Sequence, residues 1–390
     1  MNTTKQNVFY YIFQWIIYLL DCIIPKKKSN IYFFSAFMYP DNVEAIVNEL
    51  LKDTHQQSYT IFLDSTKCEL EFSDTVVKVK HMSPKALLCF FRSKYVFCDV
   101  GVYGIDRPVK NQTVINTWHG TSLKKIGYYL EPDRKRKPAK ATYVVGYSPF
   151  FKKALSTAFG VKEDNVIISG EPRNDFLFDG DSSILEDLQI NKLDYPKILI
   201  WMPTYRHNTV TKAIEGTNYD FGIPLLTRLN IDDLNESCKK NNTLLIIKWH
   251  GMQIVDDIKN REFSNIRFIT SEDIQATGKP LYHLVACCDG LITDYSSIYI
   301  NYLVLNRPIC FVYDDMESYM SKRGFMFDDV KSIMPGFHAQ SFDELAHFIK
   351  EFSVGKDEYK EERERVNKIL NTYSDNKNSY RLLKAVGLID

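Results

Sequence analysis

Two histidines occupy the same tripeptide in different parts of the chain, Trp118-His119-Gly120 and Trp249-His250-Gly251. Each follows an apolar run that reads as a strand, "TVIN" before the first and "TLLII" before the second. Imidazole has an unperturbed pKa of about 6.5, so it exchanges a proton near neutral pH. The glycine beside it lets backbone or substrate approach closely. Other strand ends carry groups suited to an anion. Thr204 and Arg206 leave the run "ILIW", and a hydroxyl with a guanidinium suits phosphate. Lys248 places a cation just before His250. Asp294 ends "GLIT", and Ser296-Ser297 then open a helix, whose free N–H groups and positive end favour negative charge. Each feature also has a plain structural reading: a histidine bonded in a turn, a surface arginine, a serine N-cap.

Composition bounds the partners. Lysine plus arginine equals aspartate plus glutamate, 49 each, so the chain is no nucleic-acid binder by charge and any anion site is local. Walker A and Gly-x-Gly-x-x-Gly sequences are absent, which argues against a P-loop ATPase and a dinucleotide fold with that fingerprint. The acidic residues form no evident metal cluster. The eight cysteines show no Cys-x-x-Cys pair or zinc spacing and read as reduced core thiols.

The elements that must position these side chains alternate along the chain. "NIYFFSAF", "SYTIFLD", "YVFCDV", "QTVINTW" and "ATYVVGYS" read as strands, with "DNVEAIVNELLKD" and "PFFKKALSTAFGV" as helices. A polar break at 179–196 follows, and the rhythm restarts with "KILIWMP", "TLLIIKWH", "IRFI", "GLITDY" and "PICFVY" as strands. Such alternation predicts an α/β protein with two Rossmann-like, doubly wound domains facing a cleft. The expected boundaries are 29–185 and 186–390, the second ending in terminal helices. Ligands in such sheets bind beyond the carboxyl ends of the strands, where the groups above fall.

Residues 8–24, "VFYYIFQWIIYLLDCII", are followed by Pro25 and Lys26-Lys27-Lys28. As a helix this run spans about 25 Å, short of the roughly 30 Å hydrocarbon core, and Gln14 and Asp21 interrupt it. Residues 1–28 are expected to form an apolar, membrane-associating helix lying on the inner membrane surface, with the three lysines at anionic headgroups. A helix buried in the protein or against a partner, and a spanning helix, are the alternatives.

The segments "NTWHGTSLKKIG", "GYSPFFKKALSTAFG", "GEPRND", "WMPTYR", "KWHG" and "LITDYSSIYINYLVLNRPICFVYDDMESY…RGFMFD" resemble the CDP-glycerol glycerophosphotransferase family, in order from about Asp41-Asn42 to Phe327. Members build teichoic acids and related polyol-phosphate capsules. The resemblance implies a GT-B-type pair of Rossmann-like domains, the first for an acceptor and the second for a CDP-polyol donor. It also implies a lipid-linked saccharide or polyol-phosphate acceptor and a peripheral place on the cytoplasmic face of the membrane. Two departures stand out: Lys248-Trp249-His250-Gly251 replaces the family's usual Arg-x-His-Pro, and Thr121-Ser122 replaces its Thr-Pro.

The reaction so implied is attack by an acceptor hydroxyl on the polyol-bearing phosphorus of CDP-glycerol or CDP-ribitol, with CMP leaving. CMP departs as a phosphate that needs no proton, so the useful group is a base on the hydroxyl. His119 fits that role. His250, Lys248, Arg206 and the Ser296-Ser297 helix start would stabilise the pyrophosphate, with Gly120 and Thr204 at the donor and Asp294 orienting a neighbour. No tightly bound cofactor is expected; metal dependence and the choice of glycerol or ribitol stay open. A GT-B glycosyltransferase using a nucleotide sugar and a non-catalytic assembly partner docked at the membrane are the rival readings.

Overall fold

Ile31, Tyr32, Phe33 and Phe34 form an apolar run with no alternation because the strand that holds them is buried on both faces. It is β1 (Lys27–Ser35), an interior strand of a seven-stranded sheet. Around it lie β2 (Thr60–Ser65), β3 (Val76–Val79), β4 (Ser93–Cys98), β5 (Thr113–Asn116), β6 (Tyr143–Gly146) and β7 (Val166–Ile168). The order is β3-β2-β1-β4-β5-β6-β7, and every pair is parallel. Parallel neighbours need a crossover connection, usually a helix. Helix Asp41–Leu50 carries β1 over to β2, and its Val43, Ile46, Val47 and Leu50 pack in one core with Ile31, Phe33, Ile61 and Leu63. The strand order reverses between β1 and β4, which makes their carboxyl ends this sheet's switch point.

The second sheet repeats the plan with β8 (Lys197–Met202), β9 (Thr243–Lys248), β10 (Ile266–Ile269), β11 (Gly290–Thr293), β12 (Ile309–Val312) and β13 (Phe337–Ala339). Its order is β10-β9-β8-β11-β12-β13, again all parallel, with the switch point between β8 and β11. Leu199, Trp201, Leu245 and Ile247 meet Leu234 and Cys238 of helix Ile231–Lys240 and Ile349 of helix Phe342–Ser353 in its core.

This structure, a computed structural model, describes residues 3–36, 41–52, 59–65, 72, 75–103, 108–120, 123–130, 140–204, 217, 219, 222–249 and 261–390. It divides into two compact units. The first comprises Met1–Thr121, Ile126–Asp175 and Lys377–Asp390; the second comprises Ser122–Lys125 and Phe176–Asn376. The chain end therefore packs with the first unit, not with the second domain where the sequence reading placed it. Leu382, Leu383, Leu388 and Ile389 enter the first core, and Asp175 caps helix Asn378–Ala385 by accepting from the N–H groups of Asn378 (2.8 Å) and Ser379 (2.9 Å).

The N-terminal run forms helix Thr3–Ile23, and Asp21, a break in its apolar pattern, is what fastens it. Asp21 is buried in an ion pair with Lys26, whose Nζ also donates to Phe91 O at 2.7 Å. Burial pushes the Asp21 carboxyl above its ordinary range, and the Lys26 bond and charge pull against that. Gln112 ties the cluster to the domain by donating to Phe90 O (3.0 Å) and Ser93 O (3.1 Å). Lys26, only 5% exposed, is thus an internal partner and is not available to headgroups as expected; Lys27 and Lys28 are exposed. With Ile17 and Asp21 turned inward, Tyr11, Ile12, Trp15, Ile16, Leu19, Leu20 and Ile23 are exposed. Among the described residues, no helix is long and apolar enough to cross a membrane.

Candidate active site

His119 is presented on a turn whose backbone is held from three sides. After β5, Asn116 Oδ1 accepts from Trp118 N (2.8 Å), Asn42 Nδ2 donates to Trp118 O (3.2 Å) and Arg173 Nη2 donates to His119 O (3.2 Å). Trp118 takes φ 54°, a left-handed value uncommon for a residue with a side chain, and Gly120 takes φ 120°, which glycine alone adopts readily. The Trp118 ring packs edge-on against Phe159 at 5.0 Å, and its centroid lies 4.0 Å from that of His119. The imidazole itself is exposed. An exposed side chain on an ordered backbone is within reach of an external hydroxyl.

The residues that hold this turn are joined to one another. Asn42 donates to Glu171 Oε1 (3.1 Å) and accepts from Arg173 N (3.0 Å), while Arg173 Nε pairs with Glu171 Oε1 at 3.0 Å. Sequence reading used "DN" and "GEPRND" only as marks of resemblance and gave Asn42, Glu171 and Arg173 no role. Nothing local in the sequence shows that 42, 118 and 171–173 meet. On the helix that carries Asn42, burial and then the neighbouring Asp41 push the Glu44 carboxyl up to about 8.

In the second unit the switch point brings together two of the expected residues and one that was missed. Thr204, just past β8, donates from its backbone N (2.9 Å) and from Oγ1 (2.5 Å) to Asp294 Oδ1, just past β11. Asp294 is fully buried, and the Thr204 hydroxyl is among the groups it accepts from. Lys124 Nζ reaches Thr204 Oγ1 at 3.3 Å. It arrives because Leu123–Lys125 are packed with this unit: Lys124 bridges to Phe325, Lys125 N donates to Gly324 O (3.1 Å) and Met326 N donates to Leu123 O (2.8 Å). Lys124 also lies 5.9 Å from the Tyr319 ring centre. The paired lysines of "TSLKKIG" were visible in the sequence, but their place in the second unit was not.

Other expected donor residues are more dispersed. Lys248, at the end of β9, spends its Nζ on Ser271 Oγ (3.0 Å) and Trp249 O (3.3 Å). Ser296 and Ser297 are half-buried and follow Asp294. Ser297 stands at the N-cap of helix Ile298–Tyr302 without a side-chain capping bond, so its hydroxyl is not used up there. That helix has only five residues, and the dipole expected of the Ser296-Ser297 start is correspondingly small. Arg206 and His250 lie outside the described residues. The two Trp-His-Gly triplets differ in part: Trp118 is half-buried in its turn, while Trp249 is a buried core residue 4.8 Å from Phe268. Among the described residues, no group of three or more His, Cys, Asp or Glu is placed to hold a metal.

The CDP-glycerol:poly(glycerophosphate) glycerophosphotransferase family matches residues 16–388. A teichoic acid ribitol-phosphate polymerase of Staphylococcus aureus is 27% identical over 92% of this chain and 62% of its own length. A teichoic acid glycerol-phosphate primase of Bacillus subtilis is 24% identical over 97% of both chains. The chain thus spans about three fifths of the polymerase. A solved structure of the wall teichoic acid polymerase TagF superposes with a TM-score of 0.73 at 20% identity, over 98% of this chain and 94% of that one, and so shares the two-sheet fold. With the match running over both units, the chain belongs to the CDP-glycerol:poly(glycerophosphate) glycerophosphotransferase family.

Proposed function

We propose that this protein transfers a polyol phosphate from a CDP-polyol to a hydroxyl of a membrane-linked acceptor, in teichoic acid or capsule synthesis. His119 takes the proton of the attacking hydroxyl. The new bond joins that oxygen to the polyol-bearing phosphorus, and the bond to the CMP oxygen breaks. Lys124, Thr204 and the Ser296-Ser297 hydroxyls hold the pyrophosphate, and Asp294 fixes the Thr204 rotamer. His250, Arg206 and Lys248 complete the donor side. The observation that carries this reading is Lys124 Nζ beside the Thr204 hydroxyl at the carboxyl-end switch point of a parallel sheet, where anionic ligands bind.

The reaction takes place at the inner membrane surface. Helix Thr3–Ile23 supports this by turning Tyr11, Trp15, Ile16 and Leu19 outward, with exposed Lys27 and Lys28 beside them for anionic headgroups. One of these relatives is named a ribitol-phosphate polymerase and the other a glycerol-phosphate primase, so both donors belong in the assay.

The test is CMP release by purified protein from CDP-glycerol, CDP-ribitol and a panel of UDP-sugars, with lipid-linked acceptors, for wild type and His119→Ala. CMP from one CDP-polyol, reduced at least 10²-fold in His119→Ala, is the expected result. UDP release would assign the protein to the glycosyltransferases. No donor binding and no turnover would leave the assembly-partner reading in its place.

A further inference from the structure

Another histidine in the first unit, His81, has no part in the chemistry above. His81 follows β3, and its Nδ1 lies 3.0 Å from Asp64 Oδ2 and 3.2 Å from Oδ1, at the end of β2. Asp64 is fully buried and also accepts from the hydroxyls of Tyr32 (2.5 Å) and Tyr103 (3.0 Å). Burial pushes both phenols well above their ordinary range, so they remain donors. A carboxylate only accepts, so Nδ1 carries its hydrogen and the imidazole orientation is fixed. The ring is stacked on Tyr103 (5.4 Å, 6°) and lies 5.0 Å from Phe34, which leaves its outer edge, with Nε2, as the accessible part. Among the described residues Nε2 has no partner, and the His81 side chain is 29% exposed.

Backbone strain gathers around the same ring. Met82 (φ 60°) and Tyr103 (φ 52°) both hold left-handed conformations that cost residues with side chains of order 1–3 kcal/mol. A buried carboxylate with three donors, a sandwiched imidazole and two such residues form a preorganised group at the carboxyl end of a parallel sheet. A purely structural histidine has no need to present a nitrogen there.

Resting on the transferase reading, we propose that His81, backed by Asp64, is a subsite for the acceptor chain, where Nε2 hydrogen-bonds a polyol hydroxyl behind the reacting end. A hydroxyl both donates and accepts, so it suits either form of the ring. Its place along the acceptor follows from the sheet. Asp64 and Asn116, which leads into the His119 turn, lie on β2 and β5, three interstrand steps or roughly 14 Å apart. A glycerol-phosphate repeat has six main-chain bonds, as many as two amino-acid residues, and reaches about 7 Å. The hydroxyl at His81 therefore belongs to a unit about two repeats from the one being extended.

The test is calorimetric binding of glycerol-phosphate and ribitol-phosphate oligomers of one to six repeats to the purified full chain, without donor. Wild type should bind oligomers of three or more repeats more tightly than shorter ones. His81→Phe, which keeps a ring between Phe34 and Tyr103, should remove about tenfold of that affinity and leave single repeats and the donor KM unchanged. His81→Gln serves if the phenylalanine variant melts early. Affinity independent of length in wild type overturns the subsite without reference to any variant, and so does a loss that falls equally on all lengths. CMP release is read separately: length-dependent binding without turnover would keep the subsite and remove the transferase reading, and turnover without length dependence would do the reverse.

Discussion

Thr204 gives two hydrogen bonds to one oxygen of Asp294, from its backbone N and from its hydroxyl, across the point where the second sheet reverses its strand order. The first sheet has the same device at its own switch point. There Ser35 Oγ and Ala36 N, leaving β1, both donate to Asp99, leaving β4. In each unit a buried carboxylate joins the two central loops on which a ligand would rest. Burial raises Asp99 to about 6, against the opposing bonds from Ser35 and Ala36. A carboxylate that fixes a neighbour's hydroxyl shapes a site without touching the substrate.

Thr204→Val should therefore lose more activity than stability. Removing one donor to a buried carboxylate costs about 1–3 kcal/mol, or roughly 2–4 °C of melting temperature per kcal/mol in a unit of this size. CMP release should fall about 10-fold or more because the hydroxyl is also lost to the phosphate, and Thr204→Ser should restore most of it. If Thr204→Val melts early but turns over normally, the hydroxyl serves the fold alone.

Lys124 gives the sharper test of the donor site. A charge-assisted bond to phosphate is worth about 1.5–3 kcal/mol, so Lys124→Met should raise the donor KM about 10- to 100-fold. Lys124→Arg should recover part of that loss. Donor titrations at two salt concentrations provide the check, since a lost charge contact also flattens the salt dependence. An unchanged donor KM would remove Lys124 from the site.

How much of this was legible in the sequence depended on the range of the interaction. Strand runs such as "KILIWM" and "TLLIIK" carry their burial in their composition, and Thr204 and Asp294 followed because each sits one or two residues past such a run. Lys124 could not be placed in this way, since Leu123–Lys125 belong to the second unit and nothing in "LKK" marks the departure. The clamp of Asn42, Glu171 and Arg173 spans some 130 positions and closes only when the helix after β1 meets the turn Pro172–Asn174. Asp21 read as a flaw in an apolar run, and only its partner, five residues on, shows that it is an anchor.

Glu44 should make stability fall as pH rises. Its folded value, about 8, lies above its ordinary 4.5, so between these values the folded chain holds a proton that the unfolded chain releases. Stability from this group is therefore greatest below about pH 4.5 and declines until about pH 8. Asp99 adds a smaller decline that ends near pH 6. Glu44→Gln keeps the shape and cannot ionise. Melting curves at pH 5.5 and 8.5 should show a smaller drop in Glu44→Gln than in wild type, with the variant the more stable at pH 8.5. Parallel pH profiles for the two proteins would mean that Glu44 is ionised in the fold.

Asp21 and Lys26 should behave as one unit that holds the N-terminal helix, while Lys27 and Lys28 act outside it. Breaking a buried pair leaves an uncompensated charge and costs about 3–5 kcal/mol, so Lys26→Met should be strongly destabilising. The double variant Asp21→Leu/Lys26→Met removes both charges and should recover much of that loss, which a double-mutant cycle in urea measures. Membrane attachment is read separately by co-sedimentation with anionic vesicles. Lys27→Ser and Lys28→Ser should each weaken it by about 1 kcal/mol, roughly fivefold, and Trp15→Ser should weaken it at all salt concentrations because its contribution is apolar. The stable double variant should still bind, since the exposed face is intact. If it bound no vesicles while Lys27→Ser and Lys28→Ser bound normally, the inward pair rather than the outward face would govern attachment.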